Sequence, residues 1–292
     1  KEGREKAISE AVTDACTAAK VDKQALIKRI VDSRANALKA IMDPAYTESD
    51  NCRLQPQVDA ATKPIFDAWF RPVEYAQSVW GLNLAGVTKK AEDMAAVCNW
   101  FDASTATIPA PHTSASAWVT ALANTIISPA SEMRAPFLQV YADNNAVDSS
   151  IASDEEKKHV AILNDYRIML GKSPLKINTS LSKAARSHSK FQESQNQIFH
   201  NFAGHPDGDT PQARCAKAGF GGPVAENCLM GSTTGEQAFW QWYRAAEHHR
   251  NMIGNHVFVG AGQSGVYWTQ NFGGGGGGGR PRGPAPAGGG RR

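Results

Sequence analysis

The sequence predicts an α+β fold for the second half of the chain and a mostly helical first half. Apolar residues recur at helical spacing through most of the chain up to residue 143. From Val257 the period changes to two: Val257 and Val259, then Val266, Trp268 and Gln270, alternate across a Gly-Gln-Ser-Gly turn, as a β-hairpin requires. Four predicted helices around a sheet that includes this hairpin make an α+β sandwich.

The first 150 residues are predicted to form a helical domain of their own. Ile27, Ile30 and Leu38 line one side of the segment 21–42, and Asp43-Pro44 ends it. The predicted helices cover residues 5–19, 21–42, 58–70, 72–80, 89–101, 114–127 and 131–143. This half contains no repeat and no catalytic motif, so a scaffold, a partner-binding domain and a self-assembly domain are all open as its role.

Residues 144–152 are mostly small and polar and form the predicted junction to a second domain over residues 153–273. Ser153 is the expected N-cap of its first helix, because acidic residues fill the first turn, where the helix dipole favours negative charge. Gly171 suits the left-handed C-cap of that helix. The next three helices are predicted to begin at Ser180, at Thr210 with Pro211 following it, and at Thr234 or Gly235.

Composition restricts the function classes. Residues 274–292 consist largely of glycine, proline and arginine and are predicted to form a disordered tail. The net charge of +3 includes the four arginines of this tail, so the rest of the chain carries about −1 and has no basic face for nucleic acid. The 41% hydrophobic and 20% charged content is typical of globular proteins. No apolar run approaches the roughly 20 residues of a membrane span.

The five cysteines match no zinc-binding spacing. Cys215 and Cys228 are close enough in sequence to close a short loop, so a disulfide between them is one hypothesis and two buried free thiols the other. Because the number is odd, at least one thiol is left over, and the states of Cys16, Cys52 and Cys98 are not predicted.

Six of the eight histidines lie between His188 and His256, so imidazole chemistry is expected in the second domain. His248 is predicted near the C-terminal end of the fourth helix, where the helix dipole favours its charged form. The adjacent His249 points about 100° away, so only one of the two faces a given cleft. Glu226 lies in a short apolar stretch, which suits a carboxylate on a strand beside a pocket. With His200 or His205, these groups could bind a divalent ion such as zinc or serve as acid–base groups.

Several separate motifs follow one another in a fixed order. They are Asn164-Asp165-Tyr166-Arg167, Gly171-Lys172-Ser173-Pro174-Leu175, Phe199-His200, Ala218-Gly219-Phe220, Ala225-Glu226-Asn227, the run from Trp242 to Ile253, and the run from Tyr267 to Gly273. In this order and at these separations, residues 153–273 resemble the CAP superfamily (SCP-like; cysteine-rich secretory proteins, antigen 5 and pathogenesis-related 1 proteins), most closely its secreted bacterial branch. The resemblance does not extend to residues 1–150.

The resemblance implies an α-β-α sandwich with an open cleft lined by two histidines and two acids, often able to hold a divalent cation. His248 matches the histidine of the Trp-x-x-x-x-x-His-x-x-Asn signature. Glu226 matches the acid of the Gly-Glu-Asn motif, in which the glycine is here Ala225. His200 matches the Phe-x-His position, although the phenylalanine directly precedes it, and His205 is the alternative.

The fourth member of the cleft departs from the family pattern. The position three residues after Trp242 is acidic in the animal and plant branches and is Ala245 in this chain. Glu236 or Glu247 could substitute for it. The expected cofactor is therefore Zn²⁺ or another divalent cation, bound by an incomplete set of ligands.

The leading hypothesis is a non-enzymatic binding or interaction module, secreted or located in the cell envelope or periplasm, whose cleft holds a cation, a small apolar ligand or a protein partner. One alternative is a metal-dependent, peptidase-like hydrolase that uses His200 and His248 with Glu226 as base or ligand. Another is a structural role set by assembly through residues 1–150. The chain begins at Lys1 without a signal peptide, so a processed or trimmed product is expected.

Overall fold

The computed structural model of the chain describes residues 2–18, 22–72, 74–76, 85–101, 112 and 114–274. The end of the predicted helix 72–80 and nearly all of the predicted tail lie outside the described residues. The first half is mostly helical, as predicted. Its helices are α1 (Glu2–Ala18), α2 (Lys23–Ile41), α3 (Asn51–Phe70), α4 (Ala85–Phe101), α5 (Ala115–Ile127), α6 (Ala130–Arg134) and α7 (Leu138–Ala146).

Two predicted helices of this half have different bounds in the structure. Helix α3 begins at Asn51 rather than residue 58 and includes Pro56 and Pro64. The predicted helix 131–143 is divided into α6, a 3₁₀ turn over Ala135–Phe137 and α7. Pro136 explains the division, because proline has no backbone N–H to donate to the preceding turn.

The chain divides into two compact units, Lys1–Gln139 with Asp165–Lys172 and Val140–Asn164 with Ser173–Arg292. In the first unit α2 packs against α3, and α1, α4 and α5 pack against one another. Ile8, Val12 and Ile30 are among its fully buried side chains. The predicted domain limits, 1–150 and 153–273, remain predictions.

The second unit contains a four-stranded sheet and the helices that cover it. Its elements are α8 (Asp154–Met169, shared with the first unit), β1 (Lys176–Ile177), α9 (Thr179–Gln195), α10 (Pro211–Lys217), β2 (Val224–Met230), α11 (Gly235–Tyr243), α12 (Ala246–Ile253), β3 (Phe258–Ser264) and β4 (Tyr267–Gly273). The strand order is β1-β3-β4-β2, with β1 parallel to β3 and the other pairs antiparallel. The predicted hairpin is thus β3 and β4, but its turn lies at Gly265 and Val266 and not over residues 262–265.

Alternating residues of β4 show that helices lie on both faces of the sheet. Thr269 accepts a hydrogen bond from Ser189 of α9 at 2.9 Å. On the opposite face, the ring of His159 from α8 contacts Trp268, and Gln270 donates to His159 Nε2 at 2.7 Å. Because successive side chains of a strand point to opposite faces, these contacts define an α-β-α sandwich, as predicted.

Most of the predicted helix ends are observed. Ser153 and Glu156 form a reciprocal capping box at α8, with Ser153 N donating to Glu156 at 2.7 Å. Gly171 has φ of 75°, and Thr210 and Thr234 cap α10 and α11. The cap predicted at Ser180 is wrong, because Asn178 accepts from the backbone N–H groups of residues 180 and 181 and α9 begins at Thr179.

None of the helices in the described part of the chain is long and apolar enough to cross a bilayer.

Two glycines on β3 allow α9 to approach the sheet closely. A Cβ at Gly262 would lie 2.1 Å from the backbone nitrogen of Arg186, and one at Gly260 would lie 2.2 Å from the backbone of Leu181. These distances are shorter than any van der Waals contact, so a side chain at either position would force α9 away from the strand.

Gly262→Ala is therefore expected to lower the free energy of unfolding by about 3 kcal/mol, because the added methyl group meets backbone that cannot rotate away. Urea denaturation of the full chain measures this value. Gly221→Ala is the matched control, since a Cβ at Gly221 would meet no atom within 4 Å. Equal stabilities of the two variants would contradict the close packing.

Candidate functional site

Glu226 lies at the centre of the candidate site. It stands on β2, opposite Asn271 of β4, and its side chain is only 2% exposed. Arg214 of α10, itself fully buried, places Nη2 at 3.0 and 2.8 Å from the two carboxylate oxygens. His200 Nδ1 lies 3.0 Å from Oε1. A buried carboxylate is stable only when its charge is compensated, and these two groups compensate it.

The electrostatics keep Glu226 ionised. Burial raises the pKa of its carboxyl group, but the hydrogen bond from His200 and the charge and hydrogen bonds of Arg214 outweigh burial, so the net pKa lies below its ordinary value. Glu226 is therefore a carboxylate near neutral pH.

Arg214 also fixes the loop that carries His200. Its Nη2 donates to the carbonyl oxygen of His200 at 2.9 Å, and its Nη1 donates to that of Gly208 at 3.4 Å. The same guanidinium group thus binds both the carboxylate on β2 and the loop backbone. The orientation of His200 follows from this arrangement, with Nδ1 towards Glu226 and a side chain that is 46% exposed.

His248 lies beside His200, with 6.5 Å between the ring centres. The prediction that it lies near the C-terminal end of a helix is wrong, because the predicted fourth helix is interrupted at Arg244 and Ala245. His248 is in the first turn of α12, where the dipole opposes a positive charge instead of favouring it. Its carbonyl oxygen accepts a hydrogen bond from Asn227 Nδ2 at 3.1 Å, which holds this turn against β2.

Two neighbouring histidines, His249 and His205, are buried and pack against aromatic side chains. His249 is fully buried against Tyr243, with 4.6 Å between ring centres, so of the His248–His249 pair only His248 is partly exposed. His205 is 4% exposed and packs its ring 4.3 Å from that of Phe191. Its Nδ1 accepts a hydrogen bond from the backbone N–H of Asp207 at 3.0 Å.

The two acids proposed as substitutes for the fourth member lie on the surface. Glu236 is 3.7 Å from Lys158, and Glu247 is 2.8 Å from Arg250. His200, Glu226 and His248 are thus brought together, whereas Glu236 and Glu247 form ion pairs with basic residues.

The disulfide predicted between Cys215 and Cys228 is absent, and both residues are free thiols. Cys215 is buried in an apolar cluster that includes Leu181 and Phe220, and burial raises the pKa of its thiol to about 12. The Cys228 sulfur instead lies 3.4 Å from Glu226 Oε1 and 3.2 Å from Gln192 Nε2. The two sulfurs have separate surroundings, so closeness in sequence did not bring them together.

A second group of potential ligands lies beneath the surface. Among the described residues, ligand atoms of His188, Glu226 and Cys228 all lie within 4.8 Å of one another. His188 Nε2 lies 2.9 Å from the carbonyl oxygen of Phe199, and burial raises the pKa of the Cys228 thiol. Because Arg214 already supplies a positive charge to both oxygens of Glu226, this group is unsuited to a second cation.

Arg214 and His188 contact Glu226 but were not predicted as members of the site. The available signal was Glu226 itself, since a carboxylate in an apolar strand requires a basic partner. Nothing local identified which of the arginines and histidines would supply it.

His200 and His248 are the residues of this site that could hold a divalent cation. Nδ1 of His200 faces Glu226, so Nε2 is directed away from the buried carboxylate. Zinc binds imidazole nitrogen at about 2.0–2.1 Å, which places two imidazoles that share one ion roughly 5–6 Å apart between ring centres. The 6.5 Å separation of His200 and His248 is slightly longer, so a small side-chain rotation would bring both rings within reach of one ion.

Removal of the buried guanidinium tests the role of Arg214. Arg214→Ala is expected to cost about 3–5 kcal/mol of unfolding free energy, because it leaves Glu226 buried without its main counter-charge. Chemical denaturation measures this loss. The control is Arg53→Ala, which removes an exposed pair with Asp50 at 3.2 Å and is expected to cost about 0–1 kcal/mol. A similar small loss in both variants would contradict the central role of Arg214.

Stability is expected to fall as the pH falls below 6.5. Burial lowers the pKa of His159 to about 4, of His188 to about 4 and of His249 to about 3, from an ordinary value of 6.5. The unfolded chain therefore takes up protons between pH 6.5 and about 4 that the folded chain does not, at up to about 1.4 kcal/mol per pH unit for each histidine. Denaturation midpoints from pH 8 to 4.5 measure this effect. An unchanged midpoint would contradict it.

Comparisons with known proteins agree with the sequence motifs. A family model described as CAP, cysteine-rich secretory protein family, matches residues 160–272. The uncharacterized protein YkwD of Bacillus subtilis (strain 168) is 32% identical over 127 residues, which cover 42% of this chain and 48% of that protein. The chain thus spans about half the length of this curated relative.

Two solved structures are also similar. One is an extracellular protein containing a SCP domain from Bacillus anthracis, with 22% identity, a TM-score of 0.38 and coverage of 40% of this chain and 39% of that chain. The other is an outer surface protein from Borrelia burgdorferi, with 18% identity, a TM-score of 0.37 and coverage of 44% of this chain and 95% of that chain. From the motifs and the matching family model, residues 160–272 of this chain belong to the CAP family.

Proposed function

We propose that the CAP domain is a binding module that holds a divalent cation such as Zn²⁺ between His200 and His248. The observation that carries the proposal is the pair of partly exposed imidazoles, 6.5 Å apart between ring centres, one of which is oriented by a buried carboxylate. We also propose that the protein is secreted or located in the cell envelope. The name of the matching family, which refers to secretory proteins, supports this location.

Glu226 has a supporting role in this proposal. Metal-binding histidines commonly donate their second ring N–H to a carboxylate, which fixes the tautomer and makes the other nitrogen a better ligand. The contact of His200 Nδ1 with Glu226 at 3.0 Å has this form. Arg214 occupies both oxygens of Glu226, so the carboxylate orients the imidazole and is not itself a ligand.

The same contacts favour binding over hydrolysis. A hydrolytic base must accept a proton from water, and the lone pairs of Glu226 are directed at Arg214 and His200 in the interior. Ala245 supplies no acid at the fourth position. The cation would be held by two imidazoles and by solvent or a ligand, which suits a module that binds a partner through the ion.

A metal-dependent hydrolase is the second candidate. It is favoured by the His200–Glu226 contact, because a carboxylate that orients a histidine ligand is also found in catalytic zinc sites. Bound zinc would supply Lewis acidity and an activated water in that case. Both candidates bind the cation, but only the hydrolase converts a substrate.

Zinc titration of the full chain by calorimetry tests the proposal. The native chain is expected to bind one Zn²⁺, and His200→Ala and His248→Ala are each expected to weaken binding by about 10–100-fold, because each removes one of two protein ligands. His112→Ala is the control, since His112 belongs to the first compact unit.

Equal heats of zinc binding for the native chain and His248→Ala would contradict a cation site that includes His248. Circular dichroism of each variant shows whether the fold is retained. A panel of peptide and ester substrates tests the hydrolase. Zinc-dependent turnover that is lost in His200→Ala and retained in His112→Ala would favour the hydrolase over the binding module.

A further inference from the structure

Helix α11 carries a second candidate site on its outer face. A cavity of about 650 Å³ is lined by Thr234, Glu236, Gln237, Trp240, Gln241 and Arg244, and we call it the Trp240 groove. The opposite face of the same helix, including Phe239 and Trp242, is buried in the second unit. The groove therefore lies on the exposed side of a helix that the core holds firmly.

Trp240 forms an aromatic platform in this groove. It is partly exposed, unlike the fully buried Trp242 two residues later. Its ring packs edge to face on Phe239 at 5.1 Å and on Tyr243 at 5.3 Å, so its orientation is fixed. The face of an indole ring carries negative charge density, which attracts the weakly positive C–H groups of a flat ligand.

The polar groups around the platform are also fixed by the protein. Gln241 accepts a hydrogen bond from Ser232 Oγ at 2.8 Å and donates to the carbonyl oxygen of Met230 at 3.1 Å. Gln237 Oε1 accepts from the backbone N–H and the hydroxyl of Thr233, at 3.0 and 3.1 Å. Because its oxygen is occupied twice, the amide of Gln237 offers its Nε2 donors to a ligand.

The charges of the groove favour a neutral ligand. The lining carries one acid, Glu236, whose carboxylate lies 3.7 Å from Lys158, and one base, Arg244, so no single sign of charge dominates the groove. Among the described residues of this unit, the large exposed apolar side chains, which are Ile198, Met230, Val257 and Val266, are not part of the lining. An interface core for a protein partner is usually apolar, so this lining suits a ligand rich in hydroxyl groups.

We propose that the Trp240 groove binds a neutral saccharide. A pyranose ring has one face of C–H groups, which would stack on Trp240, and a rim of hydroxyl groups, which would meet Gln237, Glu236 and Arg244. The cavity volume of about 650 Å³ lies within the range of small-ligand sites, about 300–1,000 Å³. The proposal is independent of the cation at His200 and His248.

Saturation-transfer NMR on the full chain tests this proposal, with soluble chitotriose and maltotriose as probes. The native chain is expected to transfer saturation to the C–H protons of at least one of these sugars. Trp240→Ala is expected to weaken binding at least tenfold, because the platform is lost, and Gln237→Ala to weaken it less. The matched control is Trp118→Ala, which removes another partly exposed helical tryptophan and should leave binding unchanged.

Absence of transfer to both sugars at millimolar concentration would overturn the proposal, as would equal transfer in the native chain and Trp240→Ala. Circular dichroism identifies a variant that fails to fold. If Trp240→Ala does not fold, Trp240→Phe and Gln237→Ala are tested in its place, since both are smaller changes to the helix face. Binding to insoluble chitin without transfer to either soluble sugar would also overturn the proposal, because it would indicate recognition of a surface and not of the sugar ring.

Discussion

The buried contact between Arg214 and Glu226 holds the candidate site together. Arg214 reaches from α10 to the carboxylate on β2 and to the backbone of the loop that contains His200. One guanidinium group thus compensates the buried charge and fixes the loop. The charge on Glu226 in turn orients the imidazole of His200, so the exposed part of the site depends on an ion pair that solvent does not reach.

A chain of buried amides positions the other half of the site. Gln270 donates to His159 and accepts from Asn227 at 3.1 Å, and Asn227 also donates to the carbonyl oxygen of His248. Asn251 of α12 donates to Asn227 at 2.9 Å. Helix α12 is therefore connected through β2 and β4 to α8 on the other side of the sandwich. Buried polar networks that are well satisfied specify a single arrangement, which suits the support of a binding residue.

Local signals in the sequence were sufficient to predict much of this fold. The change of period before Val257 predicted the hairpin, and Ser153, Gly171, Thr210 and Thr234 marked helix ends because each supplies a specific backbone interaction. The ordered motifs identified the CAP domain and drew attention to His200, Glu226 and His248, which are close together in the structure.

Long-range and competing interactions account for what the sequence did not predict. Arg214 and Glu226 belong to different elements, and an arginine in a short helix is ordinarily a solvent-exposed residue. No glycine or proline marks the interruption at Arg244 and Ala245, so the helical pattern continued through it and gave His248 the wrong helix end. Asn178 and Ser180 were both suitable caps, and only the observed hydrogen bonds distinguish them.

The separate surroundings of Cys215 and Cys228 have a consequence for the redox chemistry of this domain. Covalent cross-links between its cysteines contribute nothing to the sandwich, which depends on packing, the sheet and the buried charges. Thiolate is the form that reacts with oxidants, and burial suppresses it at both positions. Cys215 and Cys228 thus present neither a disulfide to reduce nor a readily formed thiolate to oxidise.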